Sequence, residues 1–274
     1  MDIFNGVING VLRVFFAAFS WAGPGLGPAL SLTILSILVG LGMLWVFRVT
    51  SNQERIKAVK RKVYAYLLEM RVYGDDPGAT WRAQKSLMGA NLRYMGLALR
   101  PALWMGLPLA ILLIHMEAFY GRAPLEPGRP VVVTAALKSG VDGPAPELVA
   151  PTGVDVSSPP VRVVDEHQVS WRIVPQSATS AELHFKLNGQ DFVKAIEAGG
   201  SPRFVPGKRV QSAWDALWHP DEPRLSSNDV EWVNIVYPDA SIPLFGLHVN
   251  WLLWFIIVSM VAAFLLRKRF GVTL

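Results

Sequence analysis

Few residues in this chain have the type and spacing for bond chemistry. His167, His184 and His219 stand apart, with no metal-ligand spacing, and Asp165-Glu166 is an acid pair in a turn with no partner in sequence. There are no cysteines, which excludes a thiol nucleophile, a cysteine-ligated zinc and a disulfide framework. No glycine-rich phosphate loop or serine elbow occurs. The expectation is therefore a protein that is not an enzyme and carries no cofactor and no metal. The residues with a pattern are basic. Arg48, Arg55, Lys57, Lys60, Arg61, Lys62 and Arg71 fall within 24 residues that hold only two acids, Glu54 and Glu69. Such a cluster offers electrostatic contact, to anionic lipid or to a cytosolic partner such as a ribosome or nascent chain. The pI near 9.6 does not call for specific nucleic-acid recognition, because the charge sits beside apolar windows.

Those windows position the basic cluster. Only 17% of residues are charged against 51% hydrophobic, and the deficit of charge is local. Windows 28–47, 101–120 and 247–266 each approach the roughly 20 apolar residues needed to cross a hydrocarbon core. Residues 1–24 form a fourth, amphipathic stretch. Phe4, Ile8, Val11, Phe15 and Phe19 share one face, and Asp2, Asn5, Asn9 and Arg13 share the other. That pattern suggests a helix lying in the membrane interface, with a fourth span as the alternative. Residues 48–100 carry 11 Lys/Arg against 4 Asp/Glu, and residues 122–244 carry 11 against 15. The positive-inside rule then makes 48–100 and the tail 267–274 cytoplasmic and 121–246 extracytoplasmic, in a bacterial inner membrane.

Between the first two windows, Ile56, Val59, Val63, Tyr66, Met70 and Tyr73 step by three and four residues, the rhythm of a coiled-coil seam. Gly74-Asp75-Asp76-Pro77-Gly78 reads as a turn, and the following residues as a helix returning to the membrane. Pro101 is expected in the first turn of the second span. Residues 121–246 hold most of the prolines and the alternating runs 130–137, 161–164, 168–175, 181–187 and 230–238. Breakers at Gly140, Gly143-Pro144, Pro159-Pro160 and Gly199-Gly200, with Asn188-Gly189 as a two-residue hairpin turn, suggest an antiparallel β-sandwich. Residues 212–223, SAWDALWHPDEP, suggest a short helix that packs on the sheet or touches the membrane. The fold class expected is an α+β membrane protein with three transmembrane helices, a cytoplasmic helical hairpin and an extracytoplasmic β-sandwich-like domain.

The order of amphipathic helix, span, basic hairpin, span and further span resembles the core of the YidC-type insertase superfamily. It is most similar to the three-span branch containing the third subunit of the ER membrane complex and its archaeal and bacterial relatives. The resemblance lies in SLTILSILVGLGMLWVFRVTSNQERIKAVKRKVYAYLLEM and QKSLMGANLRYMGLALRPALWMGLPLAILL. It implies insertion or assembly of membrane proteins through a polar groove that lowers the cost of moving hydrophilic segments through lipid. Ser31, Thr33, Ser36, Asn91, Arg100, Asn250 and Ser259 are the residues here that could line such a groove. The alternative is a membrane-anchored scaffold or receptor whose β-domain binds an envelope partner.

Overall fold

The computed structural model describes residues 1–138, 145–200, 204–244 and 247–271. The expected breakers Gly140, Gly143 and Pro144 and the tail beyond residue 271 lie outside the described residues. Two compact units form, Met1–Leu32 with Ile111–Trp254 and Thr33–Ala110 with Phe255–Leu274.

Among the described residues, six α-helices occur in chain order: α1 (Asp2–Ala17), α2 (Gly23–Thr50), α3 (Gln53–Val72), α4 (Pro77–Met116), the short α5 (Asp215–Trp218) and α6 (Trp251–Leu266). Among the described residues, three stretches are long and apolar enough to cross a membrane: Asp2–Ala22, Leu26–Thr50 and Pro77–Gly121.

In the second unit, α2 ends at Thr50 and α3 restarts two residues later, its N-terminus capped by Asn52, whose side chain accepts from the Arg55 amide. Asp76 caps α4 in the same way, accepting from the Gly78 and Ala79 amides. The seam rhythm is visible in the burial. Ile56 is fully buried and Val59, Val63, Tyr66 and Met70 are half-buried, whereas Tyr73 lies past the helix end and is exposed, outside the seam expected for it. Along α4, Ala83 and Ala90 are buried, with Leu87 and Tyr94 half-buried at the matching steps.

The returning arm and the second window are a single helix of 40 residues, about 60 Å long. Pro101 and Pro108 lie inside it, not at the start of a separate span. Each proline removes one backbone bond, a loss that the surrounding helix tolerates where no water competes for its remaining bonds.

The third window is shorter than expected. Leu247–Val249 is a strand paired with Ile242–Leu244, and the helix begins only at Trp251, leaving 16 residues or about 24 Å. Asn250 sets that start, because its side-chain oxygen accepts from the Leu252 and Leu253 amides. α2 and α6 approach closely at Gly40, where a Cβ would lie 2.7 Å from the Ser259 carbonyl oxygen. A small residue permits that backbone approach.

Among its described residues the first unit holds eleven antiparallel-paired strands: β1 (Val131–Leu137), β2 (Glu147–Val149), β3 (Val154–Val156), β4 (Val161–Val163), β5 (Gln168–Pro175), β6 (Thr179–Leu187), β7 (Gln190–Ala198), β8 (Lys208–Val210), β9 (Val230–Ile235), β10 (Ile242–Leu244) and β11 (Leu247–Val249). One sheet runs β3-β5-β1-β9-β8, with β4 also on β5, and a second runs β2-β6-β7. Alternate residues of both sheets share one core, and Trp171 of β5 meets Phe185 of β6 edge-on at 5.4 Å. This is the expected sandwich. Asn188 and Gly189 both have positive φ and join β6 to β7 as a two-residue turn, as their types require. The three-residue strands β2, β3, β8, β10 and β11 carry too few residues to show an alternation in sequence; β4, equally short, lies in the run 161–164 bounded by Pro159-Pro160.

Candidate functional site

The most elaborate chemistry of the first unit lies in residues 219–224, HPDEPR, just after α5. Lys194 occupies an inward position of β7, between Phe192 and Ile196, and is fully buried. Its ammonium donates to the Ala195 and Pro206 carbonyls and to Glu222, so all three donors are used. The other Glu222 oxygen accepts from the Ala195 amide at 3.0 Å. Asp221 accepts from Arg122 at 2.5 Å and from the Gly207 amide. Arg209 donates to the carbonyls of Val193, Pro223 and Arg224, and the Tyr237 hydroxyl accepts from the Glu197 amide. Side chains thus satisfy the outer edge of β7, which would otherwise be an open template for strand addition. Burial holds the Lys194 ammonium below the usual lysine range despite Glu222, and pushes the Tyr237 phenol up.

This loop is the platform for α1. Asn5 donates to the Ala216 carbonyl at 2.9 Å and Asn9 to the Pro220 carbonyl at 2.8 Å, and both amides are buried. Asp2 pairs with Arg224, and the Arg13 guanidinium lies 4.1 Å from the Phe204 ring centre. Phe16 meets Phe119 and Tyr120. The polar face of α1 therefore points at the β-domain. Between α1 and the outer face of β6–β7 remains a cleft of about 660 Å³, lined by Arg13, Phe16, Glu182, Glu197, Phe204 and Arg209 among others. It offers both charges and aromatic walls.

His219 is half-buried in this loop, and burial, reinforced by Lys208, lowers its pKa from the ordinary 6.5. Above 6.5 the ring is neutral folded or unfolded. As pH falls through 6.5, the unfolded chain takes up a proton that the folded loop resists, so stability falls. Melting of the full chain in detergent should therefore occur at a lower temperature at about pH 5 than at about pH 8, and His219→Gln should reduce that difference. The other two histidines are elsewhere. His167 closes the β4–β5 turn at φ 52° and His184 is exposed on β6. Among the described residues, no group of three or more His, Cys, Asp or Glu is placed to hold a metal.

The seven groove candidates fall in both units, Ser31 and Asn250 in the first and Thr33, Ser36, Asn91, Arg100 and Ser259 in the second. Ser31 is buried, donates to the Pro28 carbonyl and accepts from Tyr120. Ser259 donates to the Ile256 carbonyl of its own turn. Asn250 is the cap of α6. Ser36 is buried within α2 and Thr33 half-buried. Asn91 and Arg100 are exposed on α4, and the basic residues Arg48, Arg55, Lys57, Arg61 and Lys62 are exposed on α2 and α3, with Lys60 half-buried.

The second unit carries a different feature. Opposite the buried positions of α4, Trp81, Met88, Leu92, Met95 and Leu99 are each more than half exposed. Steps of seven, four, three and four residues put them on one stripe, and Leu103 and Leu107, also exposed, lie within 90° of it further along. Arg82, Lys85, Arg93 and Arg100 flank it on one side. Neither feature matches a known motif, but each leaves a signal in the sequence: a lysine in the inward phase of β7, and an α4 segment that is apolar on two opposite faces.

No family model, curated protein or solved structure matches the chain.

Proposed function

We propose that this chain is a membrane-embedded, insertase-like protein that receives apolar segments of other membrane proteins and passes them into lipid. The observation that carries the reading is the exposed stripe from Trp81 to Leu99, on the same continuous helix as the candidate span Pro77–Gly121. An apolar stripe of this length is costly in water and is a docking face for another apolar helix. Methionines at positions 88 and 95 adapt to varied side chains. The flanking Arg82, Lys85, Arg93 and Arg100 suit acidic flanks of a client or anionic headgroups. The polar groove is replaced in this reading by the outer face of α4, since Ser31 is bonded to Pro28 and Tyr120, and Ser259 and Asn250 bond within or at the start of α6. In the orientation favoured by charge, α3 and the first half of α4 are cytoplasmic in a bacterial inner membrane, facing ribosomes and nascent chains, and the β-domain is extracytoplasmic.

Full-length protein in liposomes should promote insertion of a short-tailed, single-span client. Replacing Met88, Leu92 and Met95 together by Asp should remove most of that gain. The positions are exposed, so the melting temperature should hardly change. Equal insertion by both proteins across a client panel would sink the proposal. A second reading, capture of an envelope partner by the β-domain, draws on the cleft beside α1. A partner crosslinked from Glu182, with insertion untouched by the α4 substitutions, would favour it instead.

A further inference from the structure

α1 is an amphipathic helix mounted inside out. Its polar residues Asp2, Asn5, Asn9 and Arg13 are all bonded to or stacked on the β-domain. Its outward face carries Ile3, Phe4, Val7, Val11 and Val14, every one exposed and without a charge among them. In water this arrangement wastes the hydrophobic effect twice over, burying amides and exposing valines. Against lipid it is the favourable one. Three tryptophans stand exposed around the helix: Trp21 in the turn that follows it, and Trp214 and Trp218 at either end of α5, the short helix that Asn5 grips through the Ala216 carbonyl. Exposed indoles are the side chains most enriched at the membrane–water interface.

We infer that the outward face of α1, with Trp21, Trp214 and Trp218, is a lipid-contact surface that lies on the bilayer and holds the β-domain down against it. Continuity singles out lipid as the occupant. Only the Ser20–Ala22 turn and the start of α2 separate the C-terminal end of α1 from Leu26–Thr50, the next candidate span, so the helix ends beside the hydrocarbon. Asp2–Ala22 is apolar enough to cross by itself. A crossing α1, however, would carry Asp221, Glu222 and Arg224 of its platform into the hydrocarbon, and intramembrane charges are strongly disfavoured. The lying orientation keeps those charges in the domain and only the valine face in lipid. The platform of Lys194, Glu222, Asp221 and Arg122 then has a purpose: it fixes the angle between the β-sandwich and the membrane surface.

This inference rests on the reading of Leu26–Thr50 as a span, and the test separates the two. The chain has no cysteine, so Val7→Cys, Val11→Cys, Leu38→Cys and Ser177→Cys can each carry a bimane label on full-length protein in phosphatidylcholine–phosphatidylglycerol vesicles. Labels at Val7 and Val11 should be quenched several-fold more by lipid with a shallow spin label than by aqueous iodide. Leu38 should respond to a deep spin label, and Ser177, exposed on the β-domain, to iodide alone. Iodide quenching at Val7 and Val11 equal to that at Ser177, with Leu38 still in lipid, would overturn the inference and leave the span standing. Stronger quenching by the deep label at Val7 would show a crossing helix and also overturn it. Disulfide-linked dimers of Val11→Cys without lipid quenching would identify a second copy as the occupant. Loss of lipid quenching at Leu38 would remove the span and the inference together.

Discussion

Glu222→Ala is expected to destabilise the β-domain by about 3–5 kcal/mol, because it strands a buried cation. Lys194 is 0% exposed and has no other carboxylate within its hydrogen bonds. Removing Glu222 also leaves the Ala195 amide without its acceptor, a further desolvation cost of about 1–3 kcal/mol. The pair is not intrinsically stabilising at that scale. Lys194→Met with Glu222→Gln should recover most of the loss, since the methionine needs no counter-charge and the glutamine still accepts from Ala195. Urea unfolding of the full chain in detergent, followed by tryptophan emission, reads the cycle. A Glu222→Ala variant as stable as the parent would mean that water reaches Lys194. The same substitution should free α1, because residues 219–224 hold Asn9 and Asp2.

Gly40→Ala should cost about 1–3 kcal/mol of helix packing, whereas Gly42→Ala should be neutral or slightly stabilising. The two glycines lie two residues apart on α2 and differ only in surroundings. A methyl at Gly40 would stand 2.7 Å from the Ser259 carbonyl oxygen and 3.2 Å from its Cα, both backbone atoms that cannot rotate away. At Gly42 nothing lies within 4 Å, so alanine keeps only its advantage in helix propensity, about 1 kcal/mol in water. Melting of the purified variants in detergent separates them, and equal stabilities would contradict the close approach of α2 and α6.

The β-sandwich was legible because its signals are local. Asn188-Gly189 can hardly do anything but turn a hairpin, and the alternation in 168–175 and 181–187 is what places Trp171 and Phe185 in one core. The seam of α3 was legible for the same reason, up to Met70. The errors arose where a distant contact overrode a local rule. Proline usually ends a helix, but Pro101 lies in a continuous α4. Residues 247–249 are apolar enough to begin a span, yet they pair with residues 242–244 and shorten α6. Asn5 and Asn9 show in sequence only as the polar face of an amphipathic helix, because nothing in residues 1–24 announces the carbonyls of Ala216 and Pro220 more than 200 residues away. A polar residue in an apolar window has the same sequence signature whether it lines a groove or bonds to its own helix, as Ser259 does. The stripe of α4 was readable in principle, but a helix apolar on two faces shows no single amphipathic direction.

The central claim, that an apolar segment travels along the outer face of α4, is tested most directly by site-specific photocrosslinking during insertion. A benzophenone amino acid at Leu92 or Met95 should crosslink to the apolar span of a stalled nascent membrane protein. One at Ser86, exposed on a different face of the same helix, should not. Crosslinks confined to the stripe are the predicted result. Equal labelling from Ser86 and Leu92, or labelling of lipid alone from all three positions, would contradict the account.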